Sequence, residues 1–324
     1  MRKLSCMLVA AALFAAVHPA PGLAQEYPTQ PVKLVVAFGP GGGTDIVSRI
    51  VAQRLQEKLG QPVVIENRPG AGGTVGNDVV ARAPADGYTL GMMTAGQIIA
   101  AIMRKQMPYD TLKAFDPIGQ VATAGLIIVA HPDFPASDVK GLVALAKAKP
   151  GKVSIAAPGF GATQHMAAVL FGQTAGIEVL HVPFRSTPEA VTAVLSKQVD
   201  VLFDTVSGAL GSVEGGKLKA LAVTGRDRFP AVPSVPAAIE SGVAPNYDVT
   251  TWYGMFGPRG MPPAVIAKLN KALNEVLAEP EVRERLTKAG VVVKASTPEA
   301  FGAYLATERE QWSAVRDKAG LPQQ

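Results

Sequence analysis

Short β-rich runs and helix-period runs alternate along most of this chain, and that alternation leaves few architectures open. Residues 32–38 (VKLVVAF) are short, apolar and closed by glycines, which reads as a buried strand. Ile46, Val47, Ile50, Val51, Leu55 and Leu59 then recur at helical spacing until Gly60 stops them. Strands are expected at 62–66 and 88–93. Further on, helices at 139–148, 164–175 and 188–196 interleave with strands at 153–156, 179–183 and 199–203. The pattern predicts an α/β fold with mostly parallel sheets and helices on both faces.

Two passages break the rhythm. Residues 126–130 (LIIVA) follow 118–121 (IGQV) with no room for a helix between them, and 247–256 (YDVTTWYGMF) is strand-like between two α/β regions. A chain crossing from one lobe to another and back would use two such passages. The expected division is 26–125 plus 250–324 as one lobe and 126–249 as the other. The tail reads as helical, with Val265, Ile266, Leu269, Leu273, Val276 and Leu277 on one face. A last helix starts at Thr297-Pro298-Glu299 and carries Phe301, Leu305, Trp312 and Val315.

The first 24 residues have the pattern of an export signal. Arg2 and Lys3 precede an apolar run over 8–17, and Gly22-Leu23-Ala24 supplies small residues before the expected cut. The run is about half the roughly 20 apolar residues that a membrane span needs. Cys6 precedes the run, which does not fit a lipoprotein. Cleavage there would leave an exported chain of 300 residues, without cysteine and with a net charge of +3 in place of +5. Disulfides, thiol catalysis and thiolate metal sites are then excluded. The mild positive balance, with no run of like charge, gives no case for nucleic acid and permits an anionic ligand.

The sharpest motif is Phe38-Gly39-Pro40-Gly41-Gly42-Gly43-Thr44-Asp45, between a strand and a helix. Glycines admit close backbone approach, and the helix start offers unpaired N–H groups and a positive dipole end to an anion. The alternative is a tight turn capped by Thr44 or Asp45. A second loop, Ala157-Pro158-Gly159-Phe160-Gly161-Ala162-Thr163-Gln164-His165, repeats the design. Thr163 could cap its helix or give its hydroxyl to a ligand. Two helix starts, one per lobe, could grip one carboxylate.

Enzyme readings are weaker. Gly43 is followed by threonine, where a Walker loop needs lysine. A dinucleotide fingerprint wants glycine or alanine at Thr44, although Glu66 stands at a plausible distance for a ribose contact. No G-x-S-x-G elbow occurs, and His131, His165 and His181 are not spaced as metal ligands. Asp200 and Asp204 share one face of a strand. Asp200 is expected in solvent, and Asp204 at the strand's C-terminal end, where such sheets place ligand groups.

In order along the chain, FGPGG (38–42), ENRPGAGG (66–73), DGYTL (86–90), PYD (108–110) and FDPI (115–118) resemble the Bug-type receptors of tripartite tricarboxylate transporters. So do AKAKPGK (146–152), HVPF (181–184), LAVTG (221–225) and EREQW (308–312). The resemblance implies a periplasmic-binding-protein fold of two lobes that close on a cleft ligand. It implies capture of a small organic acid by a monomeric receptor and delivery to membrane transport subunits, without catalysis, cofactor or metal. The ligand-binding positions it implies are Phe38, Pro40, Gly41, Gly42 and Asp45 in the first loop, and Gly159, Gly161, Ala162, Thr163 and His165 in the second. Thr94 and the acidic position Asp204 complete the set. Departures are Ala162 in place of the usual serine, Arg185-Ser186 where lysine-glycine is common, and no asparagine-proline after Thr94.

Overall fold

The computed structural model describes residues 27–159, 162–318 and 323. The segment read as an export signal and Gly161 of the second loop lie outside these described residues. The first part of the chain runs β1 (Val32–Val36), α1 (Gly43–Leu59), β2 (Val63–Asn67), α2 (Thr74–Ala81), β3 (Thr89–Thr94), α3 (Ala95–Met103) and β4 (Phe115–Ala130). The middle comprises α4 (Val139–Ala148), β5 (Ser154–Pro158), α5 (Thr163–Ala175), β6 (Leu180–Phe184), α6 (Thr187–Leu195), β7 (Val201–Thr205), α7 (Val206–Glu214) and β8 (Lys219–Val223). The chain returns through β9 (Thr250–Pro258), then α8 (Pro263–Ala278), α9 (Pro280–Lys288), β10 (Val291–Val293) and α10 (Pro298–Lys318).

The strand order is β2-β1-β3-β9-β4-β7-β5-β6, with β10 and β8 also on β4. The 16-residue β4 belongs to two sheets. Its positions 115–125 pair with β9 and its positions 126–130 with β7 and β8. The apparent break between 121 and 126 is thus one continuous strand.

The sheets are mixed where the sequence pattern predicts mostly parallel ones. β1 pairs in parallel with β2 and β3, and β5 with β6 and β7. Helices supply those crossover connections. The end of β4 enters the second sheet, and β9 enters the first, with no α-helix between, and both pair antiparallel with their neighbours.

Period-two alternation sorts β1 between two cores. Leu34 and Val36 pack with Val47, Val51 and Leu55 of α1 and Leu273 of α8. Val35 faces the opposite core with Ile98 of α3 and Phe301 and Leu305 of α10. Burying such side chains stabilises by about 1.5–3 kcal/mol each. The EREQW tail signature has a structural cause: Glu308 Oε2 accepts Trp252 Nε1 at 3.0 Å and Trp312 Nε1 at 3.3 Å, fixing α10 to β9.

The two helix-free passages are joined at buried Thr224. Its Oγ1 donates to Val249 O at 2.6 Å, and Leu126 N donates to that Oγ1 at 3.2 Å. Its N–H reaches Leu126 O at 3.0 Å and its carbonyl accepts Val249 N at 2.9 Å. No helix among the described residues is long and apolar enough to cross a membrane.

Candidate ligand cleft between the two sheets

Several helices begin at the boundary between the two sheets. α3 is capped by Thr94, whose Oγ1 accepts Gly96 N at 3.2 Å. α6 is capped by Ser186 and α7 by Thr205. α1 and α5, the helices behind the two glycine loops, have Gly42 and Ala162 at the cap position and no side-chain cap. Their first N–H groups are therefore left for another acceptor. The positive ends of both dipoles add to that preference for an anion.

The first loop is held by its own residues. Gly41 sits at φ 79°, a left-handed turn that favours glycine. Gly41 N donates to Asp45 Oδ2 at 3.0 Å, and Arg49 Nε reaches the same oxygen at 2.8 Å. Asn67 Nδ2 bonds Asp45 Oδ1 at 2.9 Å and the Phe38 carbonyl at 3.0 Å. These bonds hold the Asp45 carboxyl below its usual range against the opposing effect of burial. Asp45 shapes the loop and leaves the first helical N–H groups uncapped. Gly159 repeats the left-handed turn at φ 80° in the second loop.

The first loop meets residues of the second sheet and, at Gly43, also Tyr253 of β9 in its own sheet. A Cβ at Gly39 would stand 2.8 Å from Ser186 Cβ, one at Gly41 3.4 Å from Pro188 Cγ, and one at Gly42 3.4 Å from Thr187 Oγ1. At Gly43 it would stand 2.7 Å from Tyr253 Oη and closer still to the hydroxyls of Thr205 and Ser207. Phe38 lies against Gly73 and Gly159, and Gly96 faces Ala162 and Thr163. Phe38, Pro40, Gly41, Gly42, Thr94, Gly159 and Ala162 thus border one contact region. Pro40 and Gly41 are exposed on its outside.

Other expected residues take different places. Thr163 is the first residue of α5, not its cap, and its Oγ1 lies 3.4 Å from Thr251 Oγ1 of β9. His165 turns toward β6, edge-to-face with His181 at a ring distance of 5.3 Å. Burial, with a smaller effect of His181, lowers its pKa to about 4, so the ring is neutral at pH 7. Asp200 is half-buried and not free in solvent. Its Oδ2 accepts both the N–H and the hydroxyl of Ser154 at 2.8 Å, stapling β5 to β7.

Asp204 is fully buried. Thr205 N donates to its Oδ1 at 2.7 Å, and Oδ2 lacks a hydrogen-bond partner among the described residues. Burial raises this carboxyl to about 6, against the lowering influence of nearby Thr187, Thr205 and Gln164.

Sequence reasoning misses Thr187, Ser207, Tyr253 and Gln97. Ser207 Oγ and Tyr253 Oη lie 3.1 Å apart and face Gly43. Gln97 is buried in the first turn of α3, with Oε1 lacking a partner among the described residues. The one advance signal was Arg185-Ser186, a departure from the family pattern beside Thr187. Among the described residues no group of three or more His, Cys, Asp or Glu side chains is placed to hold a metal ion.

The arrangement presents backbone donors and hydroxyls, which suits holding an anion. The family model described as "Tripartite tricarboxylate transporter family receptor" matches residues 47–321. BugT of Bordetella pertussis is 33% identical over 303 residues, covering 93% of this chain and 93% of BugT. The solved structure of the periplasmic binding protein BugD is 38% identical, with a TM-score of 0.88, covering 92% of this chain and all of that one. MatC from Rhodopseudomonas palustris with bound malate is 33% identical, with a TM-score of 0.85, covering 89% of this chain and 99% of MatC. The chain therefore belongs to the Bug-type receptor family of tripartite tricarboxylate transporters, a family of solute-binding receptors and not of enzymes.

Proposed function

We propose that this chain is the periplasmic receptor for a small organic acid with at least one carboxylate, gripped between two lobes. The lobes are 26–125 plus 250–324, and 126–249. The observation that carries the reading is the pair of uncapped helix starts, α1 behind Gly42 and α5 behind Ala162, on opposite sides of one boundary. A carboxylate bridging them would satisfy donors from both lobes at once. The binding set is Phe38, Pro40, Gly41, Gly42, Thr94, Gly159, Gly161, Ala162 and Thr163, extended by Thr187 and Ser207. Asp204 sits behind Thr187, where it suits a ligand hydroxyl more than a second carboxylate, a chemistry consistent with the malate held by MatC. Asp45 and His165 support the two loops from behind.

The working form is a monomer, exported by cleavage near Gln25, that delivers its ligand to membrane transport subunits. Calorimetric titration of the mature chain with C4–C6 dicarboxylates, malate included, tests the binding reading. One site per chain is expected for at least one acid, with that acid recovered unchanged and its diamide not bound. Failure of every acid to bind, equal binding of the diamide, or consumption of the acid would overturn it.

A further inference from the structure

The cleft does not account for a hollow on the first sheet. A groove of about 660 Å³ opens between the start of β4, the end of β9 and the first turns of α8 and α10. That volume lies within the roughly 300–1,000 Å³ typical of small-molecule sites. Phe115, Pro117, Phe256, Ile266 and Leu305 give it an apolar lining. A second basin of about 440 Å³ adjoins it, and Thr111 and Leu112 line both.

The second basin is cationic. Arg104, Lys105 and Arg309 line it, and its acid, Asp110, accepts Leu112 N at 3.1 Å and lies 3.8 Å from Lys113 Nζ. Among the described residues Lys105 and Arg309 make no ion pair, and Arg104 Nη2 donates to Ala71 O at 3.0 Å. Where the basins meet, Thr111 is 7% exposed and its Oγ1 has no partner among the described residues. In the apolar groove Asp116 is occupied by Arg259 Nη1 at 3.1 Å and by the Gly260 and Met261 N–H groups at 2.8 and 3.0 Å. Glu299 stands exposed on the wall of that groove and not of the other. An apolar trough thus leads to unpaired positive charge past a buried, unpartnered hydroxyl.

We propose that this double basin is a second binding site, separate from the cleft, for an amphipathic carboxylate such as a medium-chain fatty acid. The apolar body lies along Phe115, Phe256 and Ile266, the carboxylate meets Lys105 and Arg309, and Thr111 donates to it on the way. Glu299 sets the orientation, since an anion at that end would meet its charge while the groove's cation, Arg259, is held by Asp116.

Titration of the mature chain with decanoate, kept below its micellar range, tests the site. One decanoate per chain is expected, with 1-decanol and adipate each binding at least tenfold more weakly there. Lys105→Glu with Arg309→Glu should weaken decanoate at least tenfold. Ala267→Trp, which fills the groove from an exposed position on α8, should do the same by a different route. Both variants should keep the parent melting temperature. Decanoate binding that survives both variants, or that is lost in Gly42→Val and kept in them, would place the acid elsewhere and overturn the proposal. Equal affinity for 1-decanol, or no binding of decanoate, would overturn it as well.

Discussion

Asp204 and His165 are buried on neighbouring elements and titrate in opposite senses. The Asp204 carboxyl is raised to about 6 by burial, so the folded chain keeps a proton that the unfolded chain, near 3.9, has lost. Between about pH 4 and 6 its contribution makes stability fall as pH rises. His165, lowered to about 4, does the reverse, because between about pH 4 and 6.5 the unfolded chain binds the proton. Each slope masks the other in the parent. Asp204→Asn should therefore gain on the parent as pH rises from 4 to 7, by up to roughly 3 kcal/mol. Denaturant midpoints across that range check it, and a difference that does not vary with pH would refute the buried carboxyl. The position of Asp204 at a strand end was legible in the sequence; its burial under α7 was not.

At the scale of elements, legibility followed turn chemistry. α1 ends where its apolar spacing meets Gly60, which takes φ 69° at the helix end. α3 and α7 were illegible for the opposite reason. Each begins on the residue after a strand, Ala95 after Thr94 and Val206 after Thr205, with no loop to mark the change. Both junctions are held only by a threonine cap, and both lie at the cleft. The two glycine loops were legible because glycine, strand and helix follow in order. What they pack against was not, since Thr187, Ser207 and Tyr253 come from distant parts of the chain.

Gly43 is the point where that packing is tightest. Gly43→Ala keeps α1 helical but sets a methyl against the hydroxyls of Thr205, Ser207 and Tyr253. It should weaken acid binding by about tenfold or more, equivalent to ~1.4 kcal/mol, and the Tyr253 contact, internal to the first lobe, should lower the melting temperature of the free chain as well. Ser207→Gly in the same chain should restore part of the affinity. Calorimetry on the single and double variants decides the point, and unaltered affinity in Gly43→Ala would remove this contact from the closure account.

For the whole molecule, β4 and β9 are the shared scaffold, and in the proposed closure they would act as the hinge. Sequence reading picked out both passages by their missing helices, yet not that they pair with each other over 115–125 and 250–258. Pairing between distant strands leaves no local signature. The Thr224 junction ties the ends of that pair, so Thr224→Val should cost about 1–3 kcal/mol by stranding buried groups of Leu126 and Val249. Chemical denaturation measures this, and a loss below about 0.5 kcal/mol would mean the junction is redundant. Closure would then draw its free energy from the ligand's preference for the form that joins both helix starts.

Backbone amide chemical shifts during titration with a bound dicarboxylate test that joining most directly. The amides of Gly43 and Thr44 on α1 and of Thr163 and Gln164 on α5 should shift together, along one binding curve with one dissociation constant. Shifts confined to one of the two helices, or two curves with different constants, would contradict a carboxylate clamped between lobes and point to a pocket within a single one.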